Sequence, residues 1–317
     1  MQGTSTLAMR LRATQLLGRL FRGLLAQEKG EERVKTVATD LLTTTTSSKT
    51  PAALKLELCL LVTLALFNAD AGFGCWLLEE EETETAVRTL LASGEADSQV
   101  VVAEVFNRAS TTEAGRVSLR PYVLDHTLIR LMKTSSAPFE ARVAAAAAFT
   151  KLGLAAKALP STSTELTDLL NIASDGLEQA TATVTSPPLL QASAVVESAV
   201  EILSCLATRT ALKRELAFGS GRCKACVPLL LALVQQHIGE STISSSKPTA
   251  SSSSISSNST YGRVWYGVAF VLASLTLSND ELRKEALREK DIAPEEFEQL
   301  RKIQEMQQQQ QQQVLQN

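Results

Sequence analysis

Apolar residues recur along this chain at i, i+4, i+7, i+8 and i+11, which is one face of a helix with 3.6 residues per turn. The pattern is clearest from Leu189 to Ile238, where Val195, Ala199, Ile202, Leu203 and Leu206 mark a first helix. A charged link, Arg209 to Glu215, leads to a second helix marked by Val227, Leu230, Leu231, Val234 and Ile238. One helix pair cannot bury two such stripes by itself, so neighbours of similar build must stack on either side. Val264, Val268, Val271, Leu272 and Leu275 repeat the first stripe at an offset of 69 residues. Beyond the two stripes, Leu212-Lys213-Arg214-Glu215 is echoed by Leu282-Arg283-Lys284-Glu285. Leu54, Leu58, Leu61, Val62 and Ala65 carry the same spacing near the start.

The intervening segments read as shorter helices. Pro51 stands at the first turn of the helix that Gly72 and Gly74 are expected to close. The acidic run Glu79 to Glu82, with Glu84, suits a helix start, where carboxylates favour the positive end of the dipole. Val87 to Leu91 and Val100 to Phe106 continue the pattern. Pro121 opens a helix with Val123, Leu124, Leu128 and Leu131 inward. Pro138 opens one running through the alanines of 141–148 to Leu154, a composition that favours helix and lets backbones approach closely. Ser161 to Ala182 is a further helix, and Ser186, Pro187 and Pro188 precede the 189–238 pair. Glu240 to Thr260 is mostly Ser and Thr without core residues and reads as a disordered insertion. Glu295 to Ile303 is a charged helix, and Gln307 to Gln313 is an unbroken glutamine run that adds no core.

The expected fold is therefore all-α, an armadillo/HEAT-like right-handed superhelix of stacked helices, whose repeats run ~40 to 47 residues. Its expected divisions are N-terminal amphipathic helices at 1–50, possible targeting sequence or an incomplete repeat, and armadillo-like repeats at 51–239. The insertion at 240–260, further armadillo-like helices at 261–290 and a charged, Gln-rich tail at 291–317 complete the chain.

Composition sharpens this reading. Of the 317 residues, 44% are apolar but only 4% aromatic, so Leu, Ala and Val do the packing, which suits close helix stacking. A net charge of −3 gives no electrostatic reason to expect a nucleic-acid partner. The five cysteines, Cys59, Cys75, Cys205, Cys223 and Cys226, form an odd set without a signal sequence. They read as reduced thiols in a cytoplasmic protein. Residues 1–27 hold no acidic residue, and Arg10, Arg12, Arg19 and Arg22 alternate there with leucines. That is the composition of a mitochondrial transit peptide, with an ordinary first solenoid helix as the other reading. Apolar runs are broken before the ~20 residues a membrane span needs, so no span is expected.

Candidate chemistry is sparse. Cys223-Lys-Ala-Cys226 could be half of a zinc site or a redox pair, but zinc needs two more ligands, and the only histidines are His126 and His237. The bland alternative is two small residues at a helix start before Pro228. His126, between Asp125 and Thr127, suggests a polar helix face. Gly219-Ser-Gly221 and Gly72-Phe-Gly74 lack the preceding strand and following Lys of a phosphate loop. Tyr261-Gly262 and Tyr266-Gly267 flank Trp265, a cluster that either packs against the adjoining repeat or anchors an interface. No catalytic, cofactor-binding or metal site is assigned, and no partner-binding residue is singled out.

Several segments, in order, resemble the central region of the UCS family of myosin chaperones. They are FNADAGFGCWL at 67–77, SQVVVAEVFNRAS at 98–110, ARVAAAAAFTKLG at 141–153, VVESAVEILSCLATRTALKREL at 195–216 and WYGVAFVLASLT at 265–276. The resemblance covers about residues 55–290. It implies a non-enzymatic interaction scaffold that assists folding or assembly of a myosin motor domain, in a truncated gene model or a divergent paralogue. Family members that act with the ninety-kilodalton heat-shock chaperone carry an N-terminal tetratricopeptide domain. Met1 to Thr50 is too short for its three helix pairs, so that co-chaperone link is not implied. The family's glycine in the 195–216 segment is Ile202 here. The alternative is a generic armadillo-repeat adaptor of transport or signalling, unrelated to myosin.

Overall fold

A computed structural model describes residues 6–45, 51–124, 126–155, 164–182, 189–208, 226–235 and 258–276, together with Lys213 and Leu216. Among the described residues the chain is helical throughout and contains no strand. The helices are α1 (Leu7–Leu25), α2 (Gly30–Thr45), α3 (Ala52–Ala69), α4 (Ala71–Leu78), α5 (Glu81–Ser93), α6 (Ala96–Ala109) and α7 (Glu113–Ser118). They continue as α8 (Arg120–Leu124), α9 (Thr127–Lys133), α10 (Phe139–Ala155), α11 (Thr164–Ala182), α12 (Leu189–Ala207), α13 (Cys226–Gln235) and α14 (Asn258–Thr276).

Local chemistry sets the ends. The Thr6 hydroxyl accepts from the Met9 N–H and caps α1, and Thr112 caps α7 by accepting from Gly115 N–H at 3.2 Å. Glu81, Glu82 and Glu84 occupy the first turn of α5, as the acidic run suggested. The glycine pair does not close α3. Asp70 does, in an extended conformation with its carboxylate taking the N–H groups of Gly72 at 2.8 Å and Phe73 at 3.3 Å, so both glycines lie inside α4. An aspartate that can cap the next helix stops this one before any glycine is needed.

Long helices stack one on the next in the order α1, α3, α6, α10, α12, α14. The first two, α1 and α3, run parallel, because contacts between them keep nearly one offset. Arg10 on α1 bonds Glu57 on α3, 47 residues on, and Arg22 bonds the carbonyl of Asn68, 46 residues on. Gly18 faces Ala65 on the same line: a Cβ there would come within 2.9 Å of the Ala65 carbonyl oxygen, so glycine is what lets α1 lie this close. Asn107 on α6 meets Lys151 on α10, 44 residues on, and Lys151 in turn meets Glu201 on α12. The last step is longer, Ser204 of α12 donating to the carbonyl of Gly267 on α14, 63 residues away. The Ser-rich segment falls within that step.

Between these long helices lie the members of a second layer. Lys35 of α2 sits over the Trp76 ring of α4 at 5.6 Å, Arg88 of α5 over Tyr122 of α8 at 5.8 Å, and Cys226 of α13 donates to Ser174 of α11 at 3.8 Å.

Two large core clusters meet at α10. Ala141, Ala144, Ala145 and Ala148 belong to the cluster of α3, α5 and α6, while Val143, Ala146 and Ala147 belong to that of α11, α12 and α14. An alanine-rich helix buried on both flanks has no single apolar stripe, because it turns apolar side chains to both clusters. The same holds for α3, where Leu60, Val62, Leu64, Ala65 and Leu66 are all buried, while Leu54 of the expected stripe is exposed. This helix is long and apolar enough, by length and composition, to cross a bilayer; here it is the core helix between α1, α5 and α6.

The twin stripes behave alike. Val195, Ala199, Ile202, Leu203 and Leu206 are buried on α12, and Val264, Val268 and Val271 on α14, with Leu272 and Leu275 packed against the same cluster. Two details shift. On α13 the buried face is Cys226 and Leu230, with Leu229, Leu233 and Val234 at its edge, and Leu231 is exposed. The helix α14 begins at Asn258, inside the stretch read as an insertion, because Asn258, Ser259 and Thr260 form its first turn. The echo at 282–285, the rest of the insertion and the Gln-rich tail lie outside the described residues.

Candidate functional site

The stack leaves a groove of about 710 Å³ between α1 and α12, with Val100, Glu104 and Arg108 of α6 as its floor. Its α1 wall carries Arg12, Gln15, Arg19 and Arg22, and the end of α3 contributes Phe67 and Asn68. The floor holds Val100, Glu104 and Arg108, and the far wall Val195, Glu197 and Ser198. The alanines of α10 bring α6 and α12 so near that their side chains bond directly across it.

Those bonds form one polar network. Arg108 donates both guanidinium nitrogens to the Glu197 carboxylate, at 3.2 and 3.3 Å. Asn107 donates through Nδ2 to Ser198 Oγ at 3.1 Å and accepts through Oδ1 from Lys151 Nζ at 2.8 Å. Lys151 also donates to the Asn107 carbonyl and lies 2.8 Å from Glu201 Oε2. Glu104, a turn before Arg108, is buried beside them. Burial pushes the Glu104 carboxyl above its usual value, with Arg108 opposing and Glu197 and Glu201 reinforcing the shift. For Arg108 burial works against the charge, but Glu197, Glu104 and Glu201 outweigh it and hold the guanidinium firmly protonated. A bidentate arginine with its neighbouring amide and ammonium thus ties three rungs of the stack together.

A second hollow, about 420 Å³, opens beyond the network between α12 and α14. Val200, Cys205, Tyr266, Gly267 and Phe270 line it, with Lys151 and Glu201 at its edge. Gly267 packs directly on Val200. Tyr266 is 75% exposed and stacks on Phe270 with ring centroids 6.5 Å apart, whereas Trp265 is half-buried. The aromatic pair thus divides: Trp265 packs and Tyr266 faces outward. Burial raises the Cys205 thiol to about 11, with Lys151 opposing, so it is a thiol and not a thiolate at neutral pH.

Other residues singled out from the sequence do not converge on these hollows. His126 is exposed and left-handed (φ 54°) at the start of α9. Cys226 is buried against Ser174; Cys223, His237 and the 219–221 glycines lie outside the described residues. Cys59, Cys75, Cys205 and Cys226 are in no disulfide, and no group of three or more His, Cys, Asp or Glu is placed to hold a metal ion among the described residues. The residues that do converge, Glu104, Arg108, Lys151, Glu197 and Glu201, were missed. Their signal was present: Glu104 and Arg108, like Glu197 and Glu201, are charges at i, i+4 inside otherwise apolar helices, where an unpaired charge would not be tolerated. Comparison with protein-family models, with curated proteins and with solved structures finds no match to this chain.

Proposed function

We propose that this chain is a non-enzymatic protein-interaction scaffold of armadillo/HEAT type, related to the UCS myosin chaperones, whose groove holds part of a myosin motor domain during folding or assembly. The observation that carries the scaffold reading is the ordered stack of α1, α3, α6, α10, α12 and α14. Its contact offsets of 46 and 47 residues from α1 to α3 and 44 from α6 to α10 fall in the ~40 to 47 residue period of armadillo and HEAT repeats, and the later steps, from α10 to α12 and from α12 to α14, are longer. In such an array each unit touches only its neighbours, and the small rotation between units makes a long concave surface suited to a protein partner. Two further points support it. The segments of resemblance fall on successive levels of the stack: the α3–α4 junction, α6, α10, α12 and α14. The charged side chains on the groove floor are committed to one another, which suits a recognition surface better than acid–base chemistry. A cytoplasmic location accords with the buried thiols.

The test is a binding measurement between the full chain, shown to be folded by circular dichroism, and a myosin motor domain, with an unrelated folded protein as reference. The proposal expects saturable binding to the motor domain above that reference. Binding equal to the reference contradicts the myosin assignment and turns the reading to an adaptor of transport or signalling.

A further inference from the structure

The groove's walls specify the chemistry of an occupant, and the argument that follows rests on the scaffold reading above. Arg12, Gln15, Arg19 and Arg22 stand at i, i+3, i+7 and i+10 on α1, so they share one face, and all four line the groove. The three arginines are exposed. The fixed partner of Arg22 is a neutral carbonyl, that of Asn68. Across the groove the carboxylates are already engaged: Glu197 with Arg108, and Asp70 with the first N–H groups of α4. Glu104 is buried beneath, and Glu140 of α10 is half-buried at the rim. Between these charges lies an apolar strip of Leu11, Phe67, Val100 and Val195. One wall is thus basic and solvent-facing, an apolar strip runs beside it, and Glu197 and Asp70 are held by donors of the protein itself.

We propose that the groove between α1 and α12 takes an acidic, amphipathic segment of the client protein, its carboxylates on Arg12, Arg19 and Arg22 and its apolar side chains on the strip below. A nucleic acid fits less well. Its phosphates could use the arginines as carboxylates do, but a nucleotide chain brings no aliphatic side chains to the strip of Leu11, Phe67, Val100 and Val195.

The test uses the full chain and a fluorescein-labelled peptide of alternating Glu and Leu, followed by anisotropy, with the matching Lys and Leu peptide and a single-stranded oligonucleotide as competing probes. The Glu peptide binds, salt weakens it, and neither competitor displaces it. The triple variant Arg12→Glu, Arg19→Glu, Arg22→Glu lowers affinity about tenfold or more, the loss expected for three exposed ion pairs. The single variant Arg12→Glu, at an exposed position, lowers it in the same direction if the triple variant fails to fold. Arg130→Glu, on an exposed turn of α9 away from the groove, leaves it unchanged. No binding of the Glu peptide, undiminished binding by Arg12→Glu, or displacement by the oligonucleotide overturns the inference. Motor-domain binding without peptide binding overturns this inference and leaves the proposed function standing. Peptide binding without motor-domain binding does the reverse.

Discussion

Arg108 and Glu197 carry more consequence than any other pair of side chains described. Removing one member of a partly buried, bidentate pair leaves the other charge without its counter-ion, so Arg108→Ala is expected to cost about 3 to 5 kcal/mol in urea denaturation. Adding Glu197→Gln to that variant should recover part of the loss, because the two positions act as a unit. Additive losses would mean that the contact between α6 and α12 contributes little. Glu104 provides the pH signature. Its folded pKa lies above the ordinary 4.5, so the native state holds this proton to higher pH than the unfolded chain does. The stability it contributes is present below about pH 4.5 and is lost as pH rises through the folded value. Glu104→Gln cannot ionise, and its denaturation midpoints should fall less steeply with rising pH over that window than those of the parent chain. An unchanged slope would place the titration elsewhere. The charged residues were visible along the chain, but their pairing was not, because it joins positions 89 residues apart across an alanine-rich helix.

At the scale of the helix, the twin stripes at 195–206 and 264–275 make a graded prediction. Leu206 is fully buried between units and Leu275 only partly. Leu206→Ala should cost roughly 2 to 5 kcal/mol, and Leu275→Ala less. A change below about half a kcal/mol for Leu206→Ala, the range of an ordinary surface substitution, would show that the face is misassigned. Helix existence was legible wherever a period of 3.6 could be counted, and α12 and α14 share their length and their 69-residue offset to the residue. Phase was less legible where a helix is enclosed on several sides. In the middle of α3 and of α10, at 59–66 and 141–150, nearly every position is buried, so a single stripe drawn from Leu54 picked an exposed end residue, and the alanine run had no stripe to draw. The capping role of Asp70 turns on two side-chain hydrogen bonds, which decide a boundary without altering the apolar pattern.

At the scale of the molecule, stacking follows from a sequence of insufficient single units: each helix pair exposes apolar surface that only the next pair covers. The sequence pointed to that stack but not to the groove, since Arg12, Glu104 and Glu197 come together only when α1, α6 and α12 are set side by side. The arginines of the first helix, which by composition also suit a targeting peptide, form a wall of this groove and tie α1 to α3 and α6 through Arg10, Glu57 and Asp97. The most direct measurement is hydrogen–deuterium exchange of the full chain with and without a bound myosin motor domain. The account predicts slowed exchange on α1, the second half of α6 and α12, with the second-layer helices α5 and α9 unchanged. Protection confined to α5 and α9, or none at motor concentrations that saturate binding, would contradict it.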